Sequence, residues 1–291
     1  MVLLRMYYLK LAAIVLLLSA CQQREWFKKE FSQQEKLDLS EQLLNGRGYY
    51  YQGSVPEQFV LDEALMMNPN NADVWREKGV AWLKRGFGAD MNPFYAKAVE
   101  LDAEKWSGMR GYIYLYFYRD YGRAIADFNA TDTLTEDFID HPQGQSVDYM
   151  RGICYYGLTD YNKAIAYLNK YVESVIIKEG EAWADPYAVL YRGLTFEKLG
   201  QDERAIEEFD RVIRIYPNVS DPFYHKARIF AKNGNYHEAL QLVGTAKNYF
   251  EKGYSHQRPY VEVLEQIYMV DIEELEKEIR EAASGKNIIN F

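Results

Sequence analysis

The sequence is poor in cysteine and has no excess of basic residues. It contains two cysteines, Cys21 and Cys154, in 291 residues, which is too few for a disulfide scaffold. Lysine and arginine total 34 against 43 aspartate and glutamate residues, and the formal net charge is -9. Because nucleic-acid binding depends on neutralising phosphates, this balance indicates no nucleic acid partner. The apolar fraction of 48% is that of a globular protein and excludes a largely disordered chain.

The motifs of common catalytic and metal sites are also missing. None of the four histidines has metal-ligand spacing, and the chain has no HExxH, CxxC, G-x-S-x-G, P-loop or G-x-G-x-x-G pattern. Cys154, beside Tyr155 and Tyr156, is predicted to be a buried core thiol rather than a nucleophile. The acidic residues from Asp127 to Asp140 lack EF-hand spacing and are predicted to form a solvated loop rather than a calcium site. We therefore expect no enzymatic activity, no cofactor and no metal.

The first 20 residues have the organisation of a secretory signal. Arg5 and Lys10 precede an apolar run at 11–18, which is too short to span a bilayer and fits a signal-peptide core. The run leads into Leu-Ser-Ala-Cys, ending at Cys21, which resembles the lipobox of bacterial lipoprotein precursors. The resemblance implies that residues 1–20 are cleaved and that Cys21 is lipidated, with palmitate among its acyl chains. An ordinary signal peptide with a chance cysteine is the alternative.

Lipidation would tie the mature protein to a bacterial cell envelope. Two or more acyl chains anchor a protein stably, because each buried methylene contributes about 0.8 kcal/mol. Residues 21–35 are expected to form the lipidated N-terminus and its tether. Gln22 stands where an aspartate favours inner-membrane retention in enterobacteria, so the sequence favours the outer membrane, at its periplasmic or surface face.

A short sequence motif recurs along the chain. Arg-Gly followed by apolar residues occurs at 110–114, 151–155 and 192–196, and weaker copies lie elsewhere. Downstream, a small residue precedes a large apolar one by four positions, as Ala205 precedes Phe209. The two residues therefore lie on one helix face. The pattern predicts a helix, a turn and a second helix, repeated.

This pattern resembles the tetratricopeptide repeat (TPR). The best copy places Gly193, Ala205, Phe209 and Pro217 on signature positions of the family. Five copies in phase lie at residues 72–104, 104–139, 145–178, 186–219 and 220–253, and a degraded one lies at about 36–71. The resemblance implies an all-α solenoid over residues 36–253, a right-handed superhelix of about six antiparallel helix pairs. Stacking supplies the core, because no pair buries its apolar face alone.

Three stretches depart from the regular period. Additions near residues 138–145 and 178–185 predict longer second helices or loops, and the third repeat carries one inserted residue in its turn. Residues 254–291 are predicted to cap the array with two helices, at 260–270 and 272–282. The second of these has a single apolar stripe at helical spacing, which suits a helix with one docked face.

In TPR proteins the first helix of each repeat lines the concave groove. Carried over position by position, the resemblance gives ten candidate partner-binding residues: Arg76, Lys84, Tyr112, Tyr116, Tyr149, Tyr156, Tyr187, Tyr224, Arg228 and Lys232. Tyrosine combines a large stiff ring with a polar tip, which suits recognition of peptides or sugars. The alternative is that these rings pack between helices. The clamp that binds chaperone tails is not expected, because Val80 stands where that clamp has asparagine.

The function implied is a membrane-anchored lipoprotein that acts as an adaptor or scaffold for protein partners in the bacterial cell envelope. The alternative is a surface lipoprotein that binds a peptide or glycan ligand in the tyrosine-lined groove.

Overall fold

The computed structural model of the chain describes residues 30–136 and 138–285. Within these ranges it is helical, and its single β-bridge joins Arg258 to Val261. The thirteen α-helices are α1 (Gln33–Gly46), α2 (Val55–Met67), α3 (Ala72–Lys84), α4 (Gly88–Leu101), α5 (Ala103–Ile113), α6 (Tyr121–Leu134), α7 (Val147–Gly157), α8 (Tyr161–Glu179), α9 (Pro186–Lys198), α10 (Asp202–Ile215), α11 (Asp221–Lys232), α12 (Tyr236–Glu251) and α13 (Met269–Ala283). The all-α prediction is confirmed.

The first twelve helices form six consecutive pairs that coincide with the six predicted repeats. In the pairs from α5/α6 to α11/α12, the two members pack closely against each other, and each pair also packs on the next. Sequence signals define where several helices begin. The side chains of Asp102, Asp120, Asp160 and Asp185 each accept a backbone N–H from the first turn of α5, α6, α8 and α9. These N-caps satisfy donors that the helix itself leaves unpaired.

Glycine at the eighth repeat position brings the two helices of a pair into close contact. A Cβ built on Gly193 would lie 2.7 Å from Cε1 of Phe209, and one on Gly152 would lie 2.6 Å from Cγ of Leu168. Both distances are well inside van der Waals contact, so any larger residue would force the helices apart. The recurring glycine in the sequence is therefore a packing requirement.

The arginine that precedes this glycine has a role that the sequence did not reveal. In α9, Arg192 donates through Nε and Nη2 to Oε2 of Glu208 on α10, at 2.9 and 2.7 Å. In α5, Arg110 makes a bidentate contact with Asp127 on α6, donating through Nε to Oδ2 at 2.8 Å and through Nη2 to Oδ1 at 2.7 Å. Each pair links the two helices of one repeat. Bidentate arginine–carboxylate pairs fix both distance and orientation.

The chain divides into two compact units, Met1–Val74 and Trp75–Phe291. In the first unit, α1 and α2 pack together around Leu44, Leu61 and Ala64. Beyond α2, Nδ2 of Asn71 donates to Oγ of Ser40 on α1 at 3.2 Å. In the second unit, the largest apolar core runs through α5–α10.

The insertions are accommodated in different ways. The first is a loop with a short 3-10 turn at Pro142–Gly144, and the second extends α8 to Glu179 before a 3-10 turn at Glu181–Trp183. Both agree with the prediction of loops or longer helices. The extra residue of the third repeat was predicted in the turn, but α5 instead continues into a π-helical turn at Tyr114–Tyr118. A π turn adds one residue to a helix without breaking it.

The C-terminal prediction is correct for one helix and wrong for the other. α13 buries Ile272, Leu275 and Ile279 in the core formed with α11 and α12, as its apolar stripe predicted. No helix is present over 254–268, where the sequence predicted one at 260–270. Tyr260 and Glu265 have φ values of 71° and 55°, which a helix does not allow.

The signal sequence, the lipobox and Cys21 lie outside the described residues. Among the helices that the structure describes, none is both long and apolar enough to cross a bilayer.

Candidate functional site

In the second unit, the tyrosines on the first helices of the repeats lie close to one another along one inner face. We call this face, on α5, α7, α9 and α11, the groove. Residues 254–268, which connect α12 to α13, lie against it, and we call them the groove segment. Their side chains and backbone contact all four groove helices, as the distances below show. The predicted binding surface is thus partly covered by the chain itself.

One end of the groove segment is fixed by His256. Its imidazole stacks on the ring of Tyr187, with 3.8 Å between centroids and 13° between planes, and meets the edge of Tyr191. Its backbone N–H donates to Oδ2 of Asp221 at 2.9 Å. Burial, together with the nearby charge of Arg258, lowers the pKa of His256 to about 3, so the ring is neutral at pH 7. A neutral imidazole stacks here as an aromatic ring.

Asp221 is a carboxyl group with little access to water. Burial raises its pKa to about 6, although the backbone N–H of His256 and that of its own residue favour the charged form. The carboxylate is thus stabilised at neutral pH partly by the backbone of the groove segment. It stands at the start of α11, where the helix dipole also favours negative charge.

The centre of the groove segment is fixed by Arg258. Its guanidinium lies over the ring of Tyr116, 4.1 Å from the centroid, and 5.6 Å from the centroid of Tyr112. Nη1 donates to the hydroxyl of Tyr112 at 3.0 Å. Tyr149, on α7, also interacts electrostatically with this guanidinium. Arg258 thus makes cation–π interactions with tyrosine rings, and such interactions are stronger where water is partly excluded.

The far end of the groove segment is fixed by hydroxyl groups and ion pairs. The hydroxyl of Tyr191 donates to the backbone carbonyl of Leu264, and that of Tyr156 donates to Oε1 of Glu265, both at 2.7 Å. Nζ of Lys198 lies 3.5 Å from the same Oε1. The groove therefore holds the groove segment through rings, charges and main-chain groups together.

Five of the ten predicted residues contact the groove segment: Lys84, Tyr112, Tyr116, Tyr156 and Tyr187. Nζ of Lys84 lies 5.7 Å from the ring centroid of Tyr260. Tyr149 lies among them, 1% exposed, with its ring stacked on Tyr171 at 5.7 Å.

The other four predicted residues pair with different partners. The ring of Tyr224 meets the edge of His225. Nη2 of Arg228 lies 3.5 Å from Oε1 of Glu197. Lys232 pairs with Asp202 at 2.8 Å, and the guanidinium of Arg76 lies 5.2 Å from the ring centroid of Trp106. Contact of all ten with an external partner stays a prediction.

The sequence did not identify His256, Arg258 or Tyr191 as members of this site. The first two lie just before the stretch that was predicted as a helix at 260–270, and Pro259, which separates them from it, disfavours helical conformation at Arg258. That proline, followed by Tyr260 at positive φ, is the signal that could have indicated a turn instead.

The residues considered for chemistry have structural positions. Cys154 is fully buried, and burial raises the pKa of its thiol. Of the acidic residues around the first insertion, Asp127 pairs with Arg110 and Asp132 with Arg151. Over residues 30–136 and 138–285, no group of histidine, cysteine and acidic side chains is placed to hold a metal ion.

Comparison with known sequences supports the interpretation of the repeats. A family model of the tetratricopeptide repeat matches residues 146–175 and 187–218, which correspond to α7/α8 and α9/α10. The chain contains tetratricopeptide repeats. No curated protein matches it with significance.

Solved structures of TPR proteins share the fold. PilW, described as a widely conserved type IV pilus biogenesis factor, is 16% identical with a TM-score of 0.56, over 75% of this chain and 94% of PilW. PilF of Pseudomonas aeruginosa is 14% identical with a TM-score of 0.57, over 74% and 94%. A TPR protein of Parabacteroides merdae is 12% identical with a TM-score of 0.51, over 90% and 89%. At these identities the likeness concerns the fold, and it confirms the all-α TPR solenoid.

Proposed function

We propose that this TPR protein is a non-catalytic scaffold that binds protein partners and is held at a bacterial envelope membrane by lipid on Cys21. The TPR fold supports the first part, because the first helices of stacked repeats form a continuous surface suited to polypeptide. The lipobox-like sequence ending at Cys21 supports the second part.

One observation carries the binding proposal. The groove holds the groove segment through an imidazole stacked on Tyr187, a guanidinium over Tyr116 and a backbone carbonyl hydrogen-bonded to Tyr191. These are the contacts by which a protein recognises a peptide: rings and charges for side chains, and a hydroxyl for the main chain. They favour peptide over glycan, because sugar binding requires open ring faces and these rings are covered.

Crosslinking in native membranes tests the scaffold role. The chain is crosslinked in cells, recovered from the membrane fraction and analysed by mass spectrometry, with a Tyr149→Ala/Tyr187→Ala variant in parallel. We expect specific proteins with the wild type and fewer with the variant. Recovery of no protein, together with glycan binding that the double substitution abolishes, would show that the glycan alternative is correct.

The lipid anchor has its own test. Cys21→Ser is expected to move the protein from the membrane to the soluble fraction, since two acyl chains provide stable anchoring and none would remain. Cys154→Ser is the matched control, because that thiol is buried in the core and has no role in anchoring. Unchanged fractionation of Cys21→Ser would contradict lipidation at this residue.

A further inference from the structure

The guanidinium of Arg258 sits in a cage of three tyrosines from two helices. Tyr112 on α5 provides a ring face at 5.6 Å and a hydroxyl acceptor at 3.0 Å, and Tyr116, in the π-helical turn that continues α5, provides a ring face at 4.1 Å. Tyr149 on α7 adds a third phenol that interacts with the same charge. We call these three residues the tyrosine cage. Within the described ranges no carboxylate lies within ion-pair distance of Arg258. The buried carboxyl of Asp185 interacts with this charge from further away, and the direct contacts of the guanidinium are with the tyrosines.

The tyrosine cage has more hydrogen-bonding capacity than Arg258 uses. The hydroxyl of Tyr149 is buried and has no hydrogen-bond partner in the structure. Buried polar groups in proteins are almost always paired, so an unpaired hydroxyl beside a cation site indicates room for a different set of donors. A cavity of about 330 Å³ also adjoins the cage, lined by Tyr116 and Tyr118 on one side and by Tyr260 and Val261 on the other.

Two residues of the groove segment have an unfavourable backbone conformation. Tyr260 and Glu265 hold positive φ values that side-chain-bearing residues rarely adopt. The segment is also a connection between α12 and α13, and these two helices pack directly on each other. The packing of α12 on α13 is therefore direct and does not pass through the contacts between the groove segment and the groove.

We propose that the tyrosine cage is a binding subsite for an arginine side chain of a partner polypeptide. Arg258 occupies this subsite until such a partner displaces the groove segment. The proposal rests on the proposed function in one respect, namely that the partner is a protein. The contacts of the groove segment define the partner sequence: a histidine or aromatic residue, any residue, then arginine. The ring stacks on Tyr187 and the arginine enters the cage.

The test supplies the groove segment in trans. A fluorescein-labelled synthetic peptide of residues 254–268 is titrated by fluorescence anisotropy against the full chain as wild type, as Arg258→Ala and as Arg280→Ala. The last is a matched control, because Arg280 pairs with Glu276 on the exposed face of α13. A second peptide has alanine at the position of Arg258.

The arginine peptide is expected to bind Arg258→Ala about tenfold more tightly than it binds the wild type or Arg280→Ala, because only that groove has lost its own cation. The alanine peptide is expected to bind Arg258→Ala about tenfold more weakly than the arginine peptide does. Equal affinity of the arginine peptide for wild type and folded Arg258→Ala, or equal affinity of both peptides, would overturn the proposal. If Arg258→Ala does not fold, Arg258→Met, which keeps an apolar stem over Tyr116, is measured against the same criteria.

The outcome separates this inference from the proposed function. If the chain captures proteins in membranes but its Arg258→Ala variant binds the two peptides equally, the scaffold role stands and the arginine subsite is refuted. If the Arg258→Ala variant prefers the arginine peptide but the chain captures no protein in membranes, the arginine subsite stands and the scaffold role is refuted.

Discussion

The close approach of α9 and α10 at Gly193 gives a quantitative prediction. Replacing Gly193 by alanine places a Cβ 2.7 and 2.9 Å from two ring carbons of Phe209 and 3.2 Å from Cβ of Glu208. Phe209 is fully buried, so its ring cannot turn aside into solvent. Overpacking of this kind typically costs about 1–3 kcal/mol. Alanine regains about 1 kcal/mol through its higher helix propensity.

The expected net effect of Gly193→Ala is a loss of up to about 2 kcal/mol in the free energy of unfolding, equivalent to a fall in Tm of up to about 8 °C. Urea unfolding followed by far-UV circular dichroism measures it. Gly244→Ala is the matched control, because Gly244 lies inside α12 with no atom within 4 Å of the added Cβ. That variant should gain about 0.5–1 kcal/mol. If Gly193→Ala were as stable as Gly244→Ala, the close approach would not be a packing requirement.

Two further predictions concern buried polar groups in the second unit. Glu208→Gln removes the charge that receives two hydrogen bonds from the buried Arg192, and it should lower the free energy of unfolding by about 3 kcal/mol. The control Glu207→Gln, at an exposed neighbour, should change the free energy of unfolding by less than about 0.5 kcal/mol. Equal urea midpoints for the two variants would contradict this prediction. Burial holds the pKa of His225 well below its usual value, so its imidazole stays neutral in the folded state. In the unfolded chain the same imidazole gains a proton below about pH 6.5, and the folded state therefore loses stability as the pH falls through that value. His225→Phe should therefore flatten the stability profile between pH 6 and 4 by up to about 1.4 kcal/mol per pH unit, measured by urea unfolding at both pH values; parallel profiles for variant and wild type would contradict the assignment.

The repeats could be predicted because their signals are local and recur. Gly152 and Gly193 meet Leu168 and Phe209 as the spacing of small and large residues indicates, and each pair is contained within about 34 residues. The six helix pairs follow from these contacts. The apolar stripe of α13 was likewise visible, because Ile272 and its partners alone decide which face of that helix is buried.

The groove segment could not be predicted from such signals. Val261, Leu264 and Ile267 are spaced for a helix, and local periodicity favours one. The contacts that decide its conformation come from Tyr112 and Tyr191, which are far away in the sequence. Periodicity within a window does not contain them. For the same reason the covering of several of the predicted tyrosines by the chain itself was missed.

The groove segment also changes how the second unit folds. In a simple repeat array each repeat contacts its neighbours only, so folding can begin anywhere and spread. Here Arg258 contacts Tyr112 across 146 residues, Glu262 contacts Arg119 across 143, and Glu265 contacts Tyr156 across 109. Contacts of such separation slow folding and join distant repeats into one cooperative unit. During synthesis the tyrosines of the groove therefore remain uncovered until residues 254–268 have emerged.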